Sequence, residues 1–172
     1  MSNANVSLLR QQLKMAHNWL EDTMADVTSD QAHWVPAGKP NPIGAQYAHV
    51  IFGEDFIINS VLGKSPLMMT AFAGKTGASE LPPMGDWGAW AHQLKVDLPA
   101  LRAYAKAVQA NTDAILAEMT DEAVNKSVDA SAFGMGTQPL TFMLNLQILN
   151  NFTHSGEISC LKGLQGLKGY SA

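Results

Sequence analysis

One cysteine, Cys160, is all the chain has; this excludes an internal disulfide framework and fits a reducing compartment. Charge is scarce as well. Charged residues make up 15% of the 172, against about 25% in ordinary domains. The net charge of −4 argues against a nucleic-acid partner, because holding a phosphate backbone needs a basic patch. No run of about 20 apolar residues occurs, so no segment is expected to span a membrane. Met1 to Asn5 shows no basic stretch leading into an apolar core, so no export signal is read and the expected setting is cytoplasmic. A phosphate-binding glycine loop and a serine nucleophile elbow are missing, and the segment from His49 to Asp55 is not the zinc-protease His-Glu-x-x-His pattern. The low charge is compatible with surface buried in an oligomer.

What the chain has is apolar residues at helical spacing. They amount to 47% of the sequence, enough for one domain over residues 1–172 with a proper core. Leu9, Leu13, Ala16, Leu20 and Met24 trace a stripe that predicts a first helix over 7–26. Pro42 opens a second over 43–62, broadly apolar and so covered on more than one side. Trp87, Ala91, Leu94, Leu101, Val108 and Ile115 predict a third over 86–118, and Pro99 within it predicts a kink or break near Val96. A fourth spans 137–162, with Thr137 as cap and Pro139 in the first turn. Glycines and prolines make 63–85 a long irregular connection, in which Met68, Met69 and Phe72 are expected to cover an opening; 125–136 is a second loop. Long amphipathic segments joined in this way predict an all-α four-helix bundle.

The fourth helix carries an anomaly. Gln147, Asn150, Asn151, His154 and Glu157 fall on or near its apolar face, where each polar group needs a partner or costs stability. His49 lies among apolar residues of the second helix. Imidazoles held on bundle helices suit zinc, nickel or iron, and Glu157 is within reach of completing a ligand set with His49 and His154. The plainer reading is two histidines satisfied by hydrogen bonds at the edge of a core. His17 and His92 read as boundary residues, His33 has no readable direction, and Cys160 reads as a small thiol, buried or nearly so, on another side of the helix.

The order of these features resembles the DinB/YfiT-like superfamily over nearly the whole chain. The resemblance rests on the first amphipathic helix, on Ile43-Gly44-Ala45-Gln46-Tyr47-Ala48-His49, on the long third helix, and on Asn150-Asn151-Phe152-Thr153-His154-Ser155-Gly156-Glu157-Ile158. The last stretch matches the family's His-x-x-x-His-x-Gly-Gln/Glu-Ile. The resemblance implies a four-helix bundle with long loops between helices two and three and between three and four. It also implies three histidines holding a divalent metal, often nickel or zinc, at one mouth of the bundle. Several members are similar to S-transferases using thiols such as bacillithiol or mycothiol, and many are homodimers. The first and third ligands carry over to His49 and His154. The second position is Asn150, whose neutral amide oxygen is a weaker ligand than imidazole, so a nickel or zinc site here is expected to be weak or absent. The implied activity is that of a metal-dependent thiol S-transferase or hydrolase-like enzyme with a degenerate site, Glu157 serving as base or outer partner. The alternative is a metal-free homodimer that binds a small molecule or plays a structural, stress-related part.

Overall fold

The computed structural model describes residues 3–170; Met1, Ser2, Ser171 and Ala172, the ends of the expected 1–172 domain, lie outside the described residues. In chain order the elements are α1 (Ala4–Met24), α2 (Ser29–His33), α3 (Ile43–Val61), α4 (Gly88–Gln93), α5 (Leu98–Ala117), α6 (Asp121–Val124), β1 (Ser127–Asp129), β2 (Thr137–Pro139) and α7 (Leu140–Leu164). The fold is all-α, built on α1, α3, α5 and α7. The first helix packs most extensively against the last, and α3 lies between α7 and α5. Among the described residues no helix is long and apolar enough to cross a membrane.

The apolar stripe of α1 faces inward as its spacing requires: Leu9, Leu13, Ala16, Leu20 and Met24 are all buried. Its N-terminus has no side-chain cap of its own. Asp121, at the start of α6, supplies one instead, accepting from the backbone N–H groups of Asn5 and Val6 at 3.3 and 3.0 Å. A carboxylate there satisfies orphaned donors and complements the positive end of the helix. At the other end, buried Lys162 of α7 donates to the Thr23 carbonyl at 2.7 Å and pairs with Asp26.

The expected third helix is two. Pro99 lies in the first turn of α5, where its missing N–H costs nothing, and the Asp97 side chain caps that turn by accepting from the Ala100 amide. The break at 94–97 is held by the long connection from α3. Gly77 accepts from the Asp97 amide at 2.7 Å, and Ala78 bridges Val96. Gly77 sits at φ +81°, and a methyl group there would collide with the Leu101 amide and the Asp97 carbonyl, so only glycine fits.

Two further expectations change. Residues 137–139 do not begin the last helix. They pair antiparallel with β1, Ser127 opposite Pro139 and Asp129 opposite Thr137, and α7 starts at Leu140. Three-residue strands are too short to show a period in the sequence. Nor do Met68 and Phe72 cover an opening. Met68 is buried in the core, and Phe72 packs on Tyr104 with ring centroids 5.3 Å apart. The anchor is Asp55, fully buried on α3, which accepts from the Leu67 and Met68 amides at 2.9 and 2.8 Å, from Asn59 Nδ2 at 2.9 Å and from the Tyr104 hydroxyl at 2.6 Å.

Candidate functional site

On α3, Gln46 and His49 are three residues apart and share a face; on α7, Asn150, His154 and Glu157 do the same at spacings of four and three. The two helices run antiparallel along a seam. Gln46 meets His154, and Gly53, one turn beyond His49, comes within van der Waals reach of Asn150. The structure therefore brings His49 and His154 together, their rings edge to face with centroids 5.0 Å apart, and puts Asn150 one turn farther along the same seam.

His154 is held on one side. Its Nδ1–H donates to Oε1 of Gln46 and to Oε2 of Glu157, both at 2.6 Å. Both partners are acceptors, so in the uncharged ring the proton belongs on Nδ1 and the lone pair on Nε2. That lone pair is the group the site offers, either to a proton or to a Lewis acid. His49 is placed differently. Its ring stacks on Trp87, 4.2 Å between centroids and 6° from parallel. Burial, with the adjacent His154 charge adding to it, lowers its pKa from the ordinary 6.5 to about 4.

The His49 shift has a sign that can be checked. The unfolded chain binds a proton on this ring below about 6.5 and the folded chain only below about 4, so the unfolded state holds more protons in between. The contribution to stability is complete above pH 6.5 and is lost as the pH falls towards 4, up to roughly 3 kcal/mol for a fully desolvated ring and less for this half-buried one. Glu21, whose carboxyl burial pushes up, acts with the opposite sign, so the comparison has to be with a variant. His49→Phe, which keeps an aromatic face for Trp87, should flatten the fall in urea midpoint between pH 6.5 and 4; equal slopes in both proteins would contradict the assignment.

Beside the histidines runs a groove of about 370 Å³. Trp87, Gln46 and Glu157 form one part of its wall, Leu161 and Leu164 an apolar part, and Lys39 and Asn41 a polar rim. Asn41 Oδ1 is buried with no hydrogen-bond partner among the described residues, an acceptor that a ligand donor can satisfy. Cys160, expected to be a buried or nearly buried thiol, is exposed and lines the groove. Trp87, whose spacing placed it in the apolar stripe of the expected third helix, meets His49 through the 63–87 connection, which has no period to read.

Other expected residues resolve plainly. His33 is structural: its Nδ1–H donates to the Ser29 carbonyl and its Nε2 accepts from the Val96 amide. His92 is exposed. His17 is no boundary residue; it is buried against Glu54. Gln147 and Asn151, the other polar residues of the α7 face, are buried, and each keeps a carbonyl oxygen without a partner among the described residues.

A divalent ion fits this donor set poorly. Among the described residues no group of three histidine, cysteine or carboxylate side chains is placed to hold one. Two imidazoles converge, one of them stacked flat on Trp87, and the position that would complete the set carries a neutral amide.

An all-α bundle with a histidine pair between two of its helices, beside a groove, defines a class of helical-bundle proteins with an interhelical site. Residues 12–158 match the model of the DinB superfamily, and the chain belongs to that family. A conserved protein from Enterococcus faecalis has the same fold, with a TM-score of 0.76 at 21% identity over 92% of this chain and 95% of that one. YfiT from Bacillus subtilis, described as a probable metal-dependent hydrolase with an unusual four-helix bundle topology, superposes with a TM-score of 0.62 at 18% identity, covering 98% of this chain and 91% of its own. No match was found among curated proteins.

Proposed function

We propose that the groove binds a small polar molecule against Gln46 and Glu157, the two acceptors that hold His154 by Nδ1, with no tightly held divalent ion. The observation that carries this reading is that Gln46 and Glu157 both line the groove and both accept from His154 Nδ1, so that a guest held there acts on the ring through them. Asn41 Oδ1 takes a ligand N–H or O–H, and Leu161 and Leu164 cover its apolar side.

A second reading has support of its own. An imidazole whose other nitrogen donates to a carboxylate is how proteins orient metal-binding histidines. His154 with Glu157 has that arrangement, which favours a metal-dependent hydrolase or thiol S-transferase with a degenerate site. Protein purified without chelator or affinity tag separates the two. Nickel and zinc far below stoichiometry, together with ring shifts of His154 on adding small thiols and other polar molecules, are expected. Near-stoichiometric metal would overturn the metal-free reading.

Two more proposals accompany this function. A reducing, cytoplasmic setting is supported by the single cysteine. A homodimer is supported by exposed apolar residues on two neighbouring helices, Leu8 and Met15 on α1 with Phe142 and Leu149 on α7. Light scattering should give twice the chain mass, and Leu149→Glu should halve it.

A further inference from the structure

A second polar centre lies between α1 and α5, on helices that take no part in the histidine pair. Glu54 reaches it from α3 and is fully buried. Its Oε2 pairs with His17 Nε2 at 2.8 Å, and its Oε1 accepts from the Thr112 hydroxyl at 2.7 Å. His17 and Thr112 are themselves buried. Taking an ionised carboxylate out of water costs several kcal/mol even after relaxation, and an apolar residue would fill the same volume on the broadly apolar α3 without that cost. What Glu54 achieves is to fix one ring, which stands in the wall of a pocket of about 220 Å³ with Arg10, Lys14, Gln109 and Thr112.

The charges around this pocket indicate what it takes. Both oxygens of Glu54 are used by His17 and Thr112. Asp113 is engaged by both arms of Arg10, at 2.8 and 3.0 Å. Lys14 acts on Asp113 electrostatically but makes no ion pair among the described residues, which leaves its ammonium open to a guest at the rim. His17 Nε2–H donates to Glu54, so in the uncharged ring Nδ1 is the nitrogen left to accept from a ligand. The pocket is smaller than the roughly 300 Å³ at which drug-sized sites begin, which limits the guest to a few carbons.

We propose that the pocket between α1 and α5 is a binding site for a small hydroxycarboxylic acid, its carboxylate held by the Lys14 ammonium and its hydroxyl donating to Nδ1 of a His17 that Glu54 orients. Gln109, which donates to Glu21 at 3.0 Å, and Thr112 flank the guest's remaining polar groups. The site does not depend on the histidine pair or on any metal there.

The test is a titration of the full chain with acetate, lactate and succinate, followed by NMR of the histidine side chains and by melting temperature. Lactate should shift the His17 ring resonances saturably at low millimolar concentration and raise the melting temperature, more strongly than acetate or succinate, leaving the resonances of His154 in place. Lys14→Gln, a change at an exposed residue that should not disturb folding, should weaken lactate binding about fivefold, equivalent to roughly 1 kcal/mol. His17→Gln should abolish the effect; should that variant fail to fold, the wild-type shifts and Lys14→Gln still decide. No saturable shift of His17 with lactate overturns the proposal, as does binding that Lys14→Gln leaves unchanged.

Discussion

Asn150→His should bind nickel or zinc about 100-fold more tightly than the wild type, a gain equivalent to roughly 2.7 kcal/mol. The new imidazole would stand one turn before His154 on the same face of α7, and the seam has room for it. Gly53 lies opposite, where even an added Cβ would keep 3.8 Å from the Asn150 side chain. The outer support is already in place, because Gln46 and Glu157 hold His154 by Nδ1. One cost opposes the gain. His49 must turn off Trp87, and an aromatic contact of that kind contributes roughly 0.5–1.5 kcal/mol, less than a third ligand supplies. Calorimetric titration of wild type and variant measures the difference. Equal affinities would mean that the seam does not bring position 150 to the histidine pair, and the degenerate-site account would fail with them.

The largest loss of stability should come from Asp55→Ala. Four donors converge on this carboxylate, and alanine leaves three of them, the Leu67 and Met68 amides and the Tyr104 hydroxyl, without an acceptor, while Asn59 Nδ2 keeps the Asp55 carbonyl at 2.8 Å. Each orphaned donor costs roughly 1–3 kcal/mol, and part of that is recovered if the 67–68 turn lifts off to reach water. A net loss of about 4 kcal/mol is expected, against a total stability of roughly 5–15 kcal/mol for a domain of ordinary size. Tyr104→Phe removes one donor together with its need, so it should lose only about 1–2 kcal/mol. Adding it to Asp55→Ala should cost less than the sum, since the two groups share one bond. Urea unfolding of the three variants decides; a loss below about 1 kcal/mol for Asp55→Ala would show that the turn is not anchored there.

Asp55 also marks how far the sequence could be read. The stripe of α1 and the break ahead of Pro99 are local features, set by residues within a turn or two of each other. The same is true of the face shared by Asn150, His154 and Glu157, and the family pattern placed His49 against His154, where ring contact is found. Glu54 and Asp55 were invisible as buried centres. Two acids in an apolar helix look like its wet edge until His17, Thr112 and Tyr104 arrive from distant parts of the chain. Gln46 was read only as a filler in the motif, although an amide three residues before His49 shares its face, a spacing that could have drawn attention to it.

The pairing of α1 with α7 bears on how the protein is made. A ribosome delivers the first helix early and its main cover last. Until α7 emerges, the buried side of α1 lacks the helix it packs against most, and until Asp121 emerges its leading amides have no acceptor. Contacts between such distant positions slow folding, because a long loop must close before they form. The nascent chain therefore carries an uncovered apolar helix through most of its synthesis. It should engage general chaperones at that stage, and releasing the chain before residue 140 should leave a product that aggregates instead of folding.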